Sequence, residues 1–264
     1  MKLFVFDVDG TLVTWNGKFR KRTINALNQI LSHGDALAIA SGRPLLGITQ
    51  YLDKLIDGKK FAITANGAAT FNYDGKLLDN CGMKFIDYKN FFNKYGYLIK
   101  ERKASIYGYS LTDIIYSKMT KTTFMESVCN NWCKLRNVKK KPLKDEDPIL
   151  KIMIAIESDQ IKDITFEEEK EMFNAVDSSS YYHEFVNKKT DKSRGVEAVM
   201  KSLNLKPDDC YCFGDEMNDF QMIKKYHGVA MGNSNPKVLK VAKETTLDVK
   251  DDGVAYYLEN YYKN

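Results

Sequence analysis

Five short stretches of this chain are apolar along nearly their whole length: Leu3–Phe6, Ala36–Ala40, Phe61–Thr64, Cys210–Phe213 and Gly228–Met231. Strands that apolar cannot have one face in water. Between them run segments with helical periodicity, such as Phe19 to Leu31 with Ile24, Leu27, Ile30 and Leu31, and Asp191 to Leu203 with Val196, Val199, Met200 and Leu203. Buried strands alternating with amphipathic helices predict an α/β chain, a parallel sheet covered on both faces. Polar residues gather where each strand ends: Asp7 and Asp9, Ser41, Asn66, and Asp215 to Asp219. In such a sheet the carboxyl edge is where ligands bind.

The alternation is interrupted. Phe71 to Leu78 reads as a hairpin turning on Asp74-Gly75. From about Met83 to Val186 the chain is rich in Tyr, Phe and Lys. There Ile106–Leu111, Lys151–Ile156 and Tyr181–Val186 read as strands, and Phe91–Lys103, Thr123–Leu135 and Ile164–Phe173 as helices. The first pattern returns at Lys188, with Ser234 or Asn235 placed to cap a helix that opens at Pro236, a short strand over Thr245–Val249 and a closing helix over Val254–Tyr262. The expected organisation is a discontinuous core, 1–82 and 187–264, with a second α+β domain, 83–186, inserted into it.

Composition excludes several classes. The 264 residues are 44% hydrophobic and 28% charged, ordinary for a globular chain with a real core. Forty basic residues against 35 acidic ones leave a net charge of +5, interspersed and not clustered, which argues against nucleic acid as partner. No stretch approaches a membrane span, and the first apolar run is broken by Asp7 too early for a signal peptide, so a cytoplasmic protein with no membrane partner is expected. Five cysteines in no framework spacing read as reduced thiols. His33, His183 and His227 lie away from the strand ends, so none is placed as a catalytic base, and no GxxxxGK[ST] loop exists.

The chemistry therefore rests on Asp7 and Asp9. Alternation puts both on one face of the first strand. Two like charges at the end of a buried strand need something positive: a metal ion, a lysine or a bound ligand. Gly10 lets the backbone leave sharply and lets a ligand come close. The strand ends and helix starts supply a set: Asp7, Asp9, Ser41, Lys192, Asp215, Asn218 and Asp219. Carboxylate oxygens of this kind suit Mg2+, which keeps waters and is completed by a substrate phosphate. Lys192 adds positive charge for an anion, and the Ser41 hydroxyl can donate to a phosphate oxygen.

These residues resemble the haloacid dehalogenase superfamily. Asp7-Val8-Asp9-Gly10-Thr11-Leu12 is similar to its DxDGT signature, Ser41 in Ala40-Ser41-Gly42-Arg43 to its second motif, and Lys192 in Lys192-Ser193-Arg194-Gly195 to its third. Gly214-Asp215-Glu216-Met217-Asn218-Asp219 is similar to the fourth, GDxxND. The order matches, with Ser41 where many relatives carry threonine. The insert between second and third motifs resembles a C2-type cap, and Asn66-Gly67-Ala68 with GDxxND points to Cof-like phosphatases of subclass IIB.

The resemblance implies a Rossmann-like core with a C2B cap and a magnesium-dependent phosphatase acting on small phosphorylated metabolites, sugar phosphates above all. It implies Asp7 as nucleophile forming an aspartyl-phosphate, and Asp9 as acid and base, its backbone carbonyl on the metal. Asp7 and Asp215 would ligate magnesium, with Asp219 positioning a metal-bound water or Lys192. Ser41, Lys192 and backbone N–H groups after Asp7 would hold the phosphoryl oxygens, and Asn218 would bond near them or to the ligand on the cap side. The alternatives are a sugar phosphomutase of the phosphomannomutase type and a non-catalytic sensor of phosphorylated metabolites. The sequence leaves the ester and the oligomeric state open.

Overall fold

The structure is a computed structural model that describes residues 1–14, 17–156, 159, 164–177 and 181–263. The chain divides into two compact units. One comprises Met1–Gly42, Ile48–Asp79 and Asp191–Asn264; the other comprises Arg43–Gly47 and Asn80–Thr190.

In chain order the elements begin β1 (Leu3–Phe6), α1 (Lys21–Ser32), β2 (Ala36–Ala40), α2 (Leu45–Leu52), β3 (Lys59–Thr64), β4 (Ala69–Asn72) and β5 (Leu77–Asn80). Then come β6 (Met83–Lys84), α3 (Phe85–Tyr95), α4 (Leu98–Glu101), β7 (Ser105–Ser110), β8 (Ile114–Tyr116), α5 (Lys121–Cys129), β9 (Leu135–Asn137), β10 (Pro148–Ala155), α6 (Glu167–Met172), β11 (Phe173–Asp177) and β12 (Tyr182–Asn187). The last part holds α7 (Lys192–Leu203), β13 (Cys210–Gly214), α8 (Phe220–Lys225), β14 (His227–Ala230), α9 (Pro236–Leu239), β15 (Glu244–Thr245) and α10 (Gly253–Tyr261).

The first unit is built on a sheet ordered β15-β14-β13-β1-β2-β3-β4-β5. Its pairs from β15 to β3 are parallel, and β4 runs antiparallel to β3. Phe4 and Phe6 of β1 stack on Tyr211 and Phe213 of β13, and α10 sends Tyr257 and Tyr261 edge-on against that row, beside α1. The alternate residues, Leu3 and Val5 with Ala38, Ile63 and Cys212, pack against Val196 and Val199 of α7, Met222 of α8 and Val238 of α9. Both faces are thus covered, which is why these strands carry no polar side of their own.

The second unit is a mixed sheet ordered β11-β12-β10-β7-β8-β9, with β6 on β10. One of its faces, including Ile106, Ile152, Ile154 and Phe185, packs against Phe85, Tyr88, Phe91 and Tyr95 of α3.

The structure moves several expected boundaries. The helix expected over Phe91–Lys103 begins at Phe85 and is interrupted at Gly96 before α4. The one expected over Thr123–Leu135 stops at Cys129, because Asn131 and Trp132 have positive φ, and Leu135 opens a strand instead. Thr245–Val249 is strand only at its start; Val249 opens a 3-10 turn. The five cysteines are thiols, three of them buried. His33 stacks on Tyr262, and His227 pairs with Glu244, away from the aspartates. No helix among the described residues is long and apolar enough to cross a membrane.

Candidate active site

The site is assembled where β1, β2 and β13 end, joined by the first residue of α7. β1 stops at Phe6, one residue short of the first aspartate. Asp7 keeps the chain on the sheet by donating its N–H to Phe213 O at 3.0 Å, and then the backbone curls. Thr11, Leu12 and Val13 all turn their N–H groups onto Val8 O, and Gly10 donates to Val13 O at 2.9 Å. Gly10 takes φ +91°, and a Cβ there would lie 2.2 Å from Asp215 Oδ2. Only glycine lets that carboxylate lie flush against the turn. This curl corrects the simple strand alternation: Asp7 is buried at 5% exposure, whereas Asp9 is exposed.

Lys192 is the second fixed point. Asp191 caps α7 with its side chain, accepting from Ser193 N at 2.7 Å and Arg194 N at 3.2 Å, which sets Lys192 in the first turn. A cation at a helix N-terminus works against the helix dipole. Here carboxylates compensate: Lys192 Nζ, fully buried, donates to Asp7 Oδ1 at 2.5 Å and to Asp219 Oδ1 at 2.6 Å.

Asp219 has its other oxygen engaged too. Oδ2 accepts the N–H groups of Asp215 and Glu216 at 2.9 and 3.1 Å, closing the loop after β13. Asp215 is held by neutral donors, Thr11 Oγ1 to Oδ1 at 3.0 Å and Asn233 Nδ2 to Oδ2 at 3.2 Å. Ser41, buried at the end of β2, joins its neighbours through the backbone: its N–H reaches Ile63 O and its carbonyl accepts Asn66 N–H, both at 2.9 Å. Asn218 is exposed and donates to Asn66 Oδ1 at 3.3 Å.

Asp7, Asp215 and Asp219 each offer an oxygen within 4.8 Å of the others, a group that could hold a metal ion. The carboxyl of Asp9 is not among the three. Burial and mutual repulsion act against the charged forms of Asp7 and Asp215. Burial pushes the Asp7 carboxyl well above its usual range; Lys192 pulls it down, and Asp219 and Asp215 add to the rise. Asp215 is pushed up to about 7, by burial first and Asp219 second. Burial works against the Lys192 ammonium, but Asp219 and Asp7 outweigh it and raise its pKa. Two of the three buried carboxylates, Asp7 and Asp219, share the one ammonium, and the hard oxygens of all three are a donor set that fits a divalent cation such as magnesium.

Two supporting side chains carried no assignment in the sequence. Thr11 lies inside the DxDGT motif, where its hydroxyl could have been asked for a partner. Asn233 follows β14, and its signal was its place beyond the end of an apolar parallel strand.

A parallel sheet with this acidic carboxyl edge carries its site where such sheets bind ligands, and the sequence comparisons name the family. The family model for haloacid dehalogenase-like hydrolases matches residues 4–258. The HMP-PP phosphatase of Yersinia enterocolitica is 26% identical over 98% of this chain and 95% of its own. Phosphatase YwpJ of Bacillus subtilis is 24% identical over 98% and 99%. The solved structure of the subclass IIB sugar phosphatase BT4131 shares the fold, with a TM-score of 0.76, 19% identity and 99% of both chains covered. The chain belongs to the haloacid dehalogenase-like hydrolase family, and it is a phosphatase.

Proposed function

We propose that this phosphatase hydrolyses monoesters of small phosphorylated metabolites, sugar phosphates foremost, with Mg2+ as its cation and Asp7 as its nucleophile. The observation that carries the reading is the buried Asp7 carboxylate, with one oxygen fixed by Lys192 at 2.5 Å and two further carboxylates within 4.8 Å. An Asp7 oxygen forms a bond to phosphorus while the bond to the ester oxygen breaks. The Asp9 carboxyl, at the exposed end of the turn, gives its proton to the departing alkoxide. The same carboxylate then takes a proton from water as that water attacks the aspartyl-phosphate, releasing phosphate and restoring Asp7.

Asp7 and Asp215, with the Asp9 carbonyl, would hold magnesium, which when bound supplies positive charge against the anionic substrate. Asp219 lies in the same carboxylate group, but its engaged oxygens support its assignment to holding Lys192. Lys192 and Ser41 hold phosphoryl oxygens. The N–H groups of Gly10 to Val13 are used within the turn, so the backbone share of this role is assigned to the N–H groups directly after Asp7. Asn218, tied to Asn66, is assigned to the substrate phosphate. The unit containing Asn80–Thr190 is assigned as the cap that recognises the leaving group. The sugar-phosphate reading is supported by the motif resemblance and by the BT4131 fold.

The test is inorganic phosphate release from a panel of phosphorylated metabolites, with Mg2+ and with EDTA. Turnover of sugar phosphates that EDTA abolishes and Mg2+ restores is expected. Turnover indifferent to EDTA contradicts the metal assignment, and sugar-phosphate isomerisation without phosphate release contradicts the hydrolase reading.

A further inference from the structure

Asn233 lies in the loop between β14 and α9, and its amide group is used on both sides. Nδ2 donates to Gly10 O at 2.9 Å and to Asp215 Oδ2 at 3.2 Å, while Oδ1 accepts Val249 N–H at 2.9 Å. One side chain thus joins the turn after Asp9, the Asp215 carboxylate and the 3-10 turn at Val249–Asp251. The Asp215 oxygen it holds is the one that lies against Gly10.

We propose that Asn233 is a positioning residue for the divalent cation: it orients Asp215 and fixes its separation from the Asp9–Gly10 turn. The proposal rests on the metal assignment above. Its physical basis is the chemistry of the donor. Both Asp215 oxygens are held by uncharged groups, the Thr11 hydroxyl and the Asn233 amide, whereas Lys192 bonds to Asp7 and Asp219. An amide directs a carboxylate without neutralising it, so the negative charge stays available to a cation. A lysine or arginine in its place would compete for that charge. Groups that orient a ligating carboxylate in this way typically change metal affinity by about 10–100-fold when removed. The bond to Gly10 O adds a second function, since the same NH2 group ties the turn bearing the Asp9 carbonyl to Asp215.

The turn at Val249 separates positioning from loop support. Val249 is the first residue of a 3-10 turn that has its own cap, since Asp248 Oδ1 accepts Lys250 N–H at 2.9 Å. Asp248→Ala removes that cap and loosens the turn, and it leaves both N–H donations of Asn233 intact.

The experiment is calorimetric titration of Mg2+ into the metal-stripped full chain, with thermal melting of the same metal-free preparations. Asn233 is exposed, so Asn233→Ala folds; Asn233→Ser, too short to make both donations, is the second variant. Both are expected to bind Mg2+ roughly 10–100-fold more weakly, with most of kcat regained at saturating Mg2+. Asp248→Ala is expected to bind like the wild type. Unchanged affinity in the Asn233 variants, or an equal loss in Asp248→Ala, overturns the proposal. A wild-type chain that binds no Mg2+ overturns the metal assignment itself, and the proposal with it.

Discussion

Asp7 and Asp9 are two residues apart and live in different surroundings. Asp7 is buried against Lys192, and Asp9 is exposed beyond the curl at Gly10. Gly10 is what makes that difference possible, and it can be tested. Gly10→Ala puts a Cβ 2.2 Å from Asp215 Oδ2 on a backbone at φ +91°. The backbone alone costs about 1–2 kcal/mol, and the overlap pushes Asp215 away. Phosphate release is expected to fall at least about 10-fold, as displaced catalytic geometry does. Gly75→Ala is the comparison: φ is +82°, nothing lies within 4 Å, and only the backbone cost should show, as a lower urea midpoint with activity kept. The aspartate pair was legible because two carboxylates ending an apolar run demand a partner. Asn233 was not, because an Asn in Gly232-Asn233-Ser234-Asn235-Pro236 reads as helix-cap chemistry. Of the two caps expected there, Ser234 and Asn235, the structure uses Asn235, which accepts Lys237 N–H, while Ser234 donates to Gly214 O.

At the scale of elements, the fully apolar strands were readable almost to the residue: β2 is the expected Ala36–Ala40 and β13 extends the expected run by Gly214. A strand buried on both faces leaves no other pattern open. The aromatic segment from 83 to 186 was less readable. Strands of three residues such as β8 and β9 are too short to show alternation, and positive φ at Asn131 and Trp132 has no sequence signal as clear as glycine. The element that matters most to the site is α7, whose start was expected at Asp191 and lies at Lys192 with Asp191 as its cap. Asp191→Ala removes that cap, at a cost of about 1 kcal/mol, and loosens the turn that presents Lys192. A lower urea midpoint together with a several-fold lower kcat is expected. A lower midpoint with unchanged kcat would show that Lys192 is held by its carboxylates alone.

For the whole molecule, the buried carboxylates couple stability to pH and metal. The folded-state pKa of Asp215 is raised from 3.8 to about 7, and that of Asp7 is raised as well. An acid shifted this way binds its proton more tightly when folded. Its contribution to stability is complete below 3.8 and is lost as pH rises through about 7. Magnesium competes with those protons, so it should raise Tm more at pH 8 than at pH 5. At 100 times its Kd the gain is about 2.7 kcal/mol, or roughly 5–10 °C for a chain of this size. Differential scanning calorimetry with and without Mg2+ at the two pH values checks this, and a Tm gain equal at both would speak against a cation among these carboxylates. The same aspartates define the reaction, and intact-protein and peptide mass spectrometry of acid-quenched turnover reads it directly. In Asp9→Asn, with a sugar phosphate and Mg2+, one phosphoryl group is predicted on the peptide carrying Asp7, and none in Asp7→Asn. Phosphate release with no adduct in Asp9→Asn, or an adduct that survives in Asp7→Asn, would contradict Asp7 as the nucleophile.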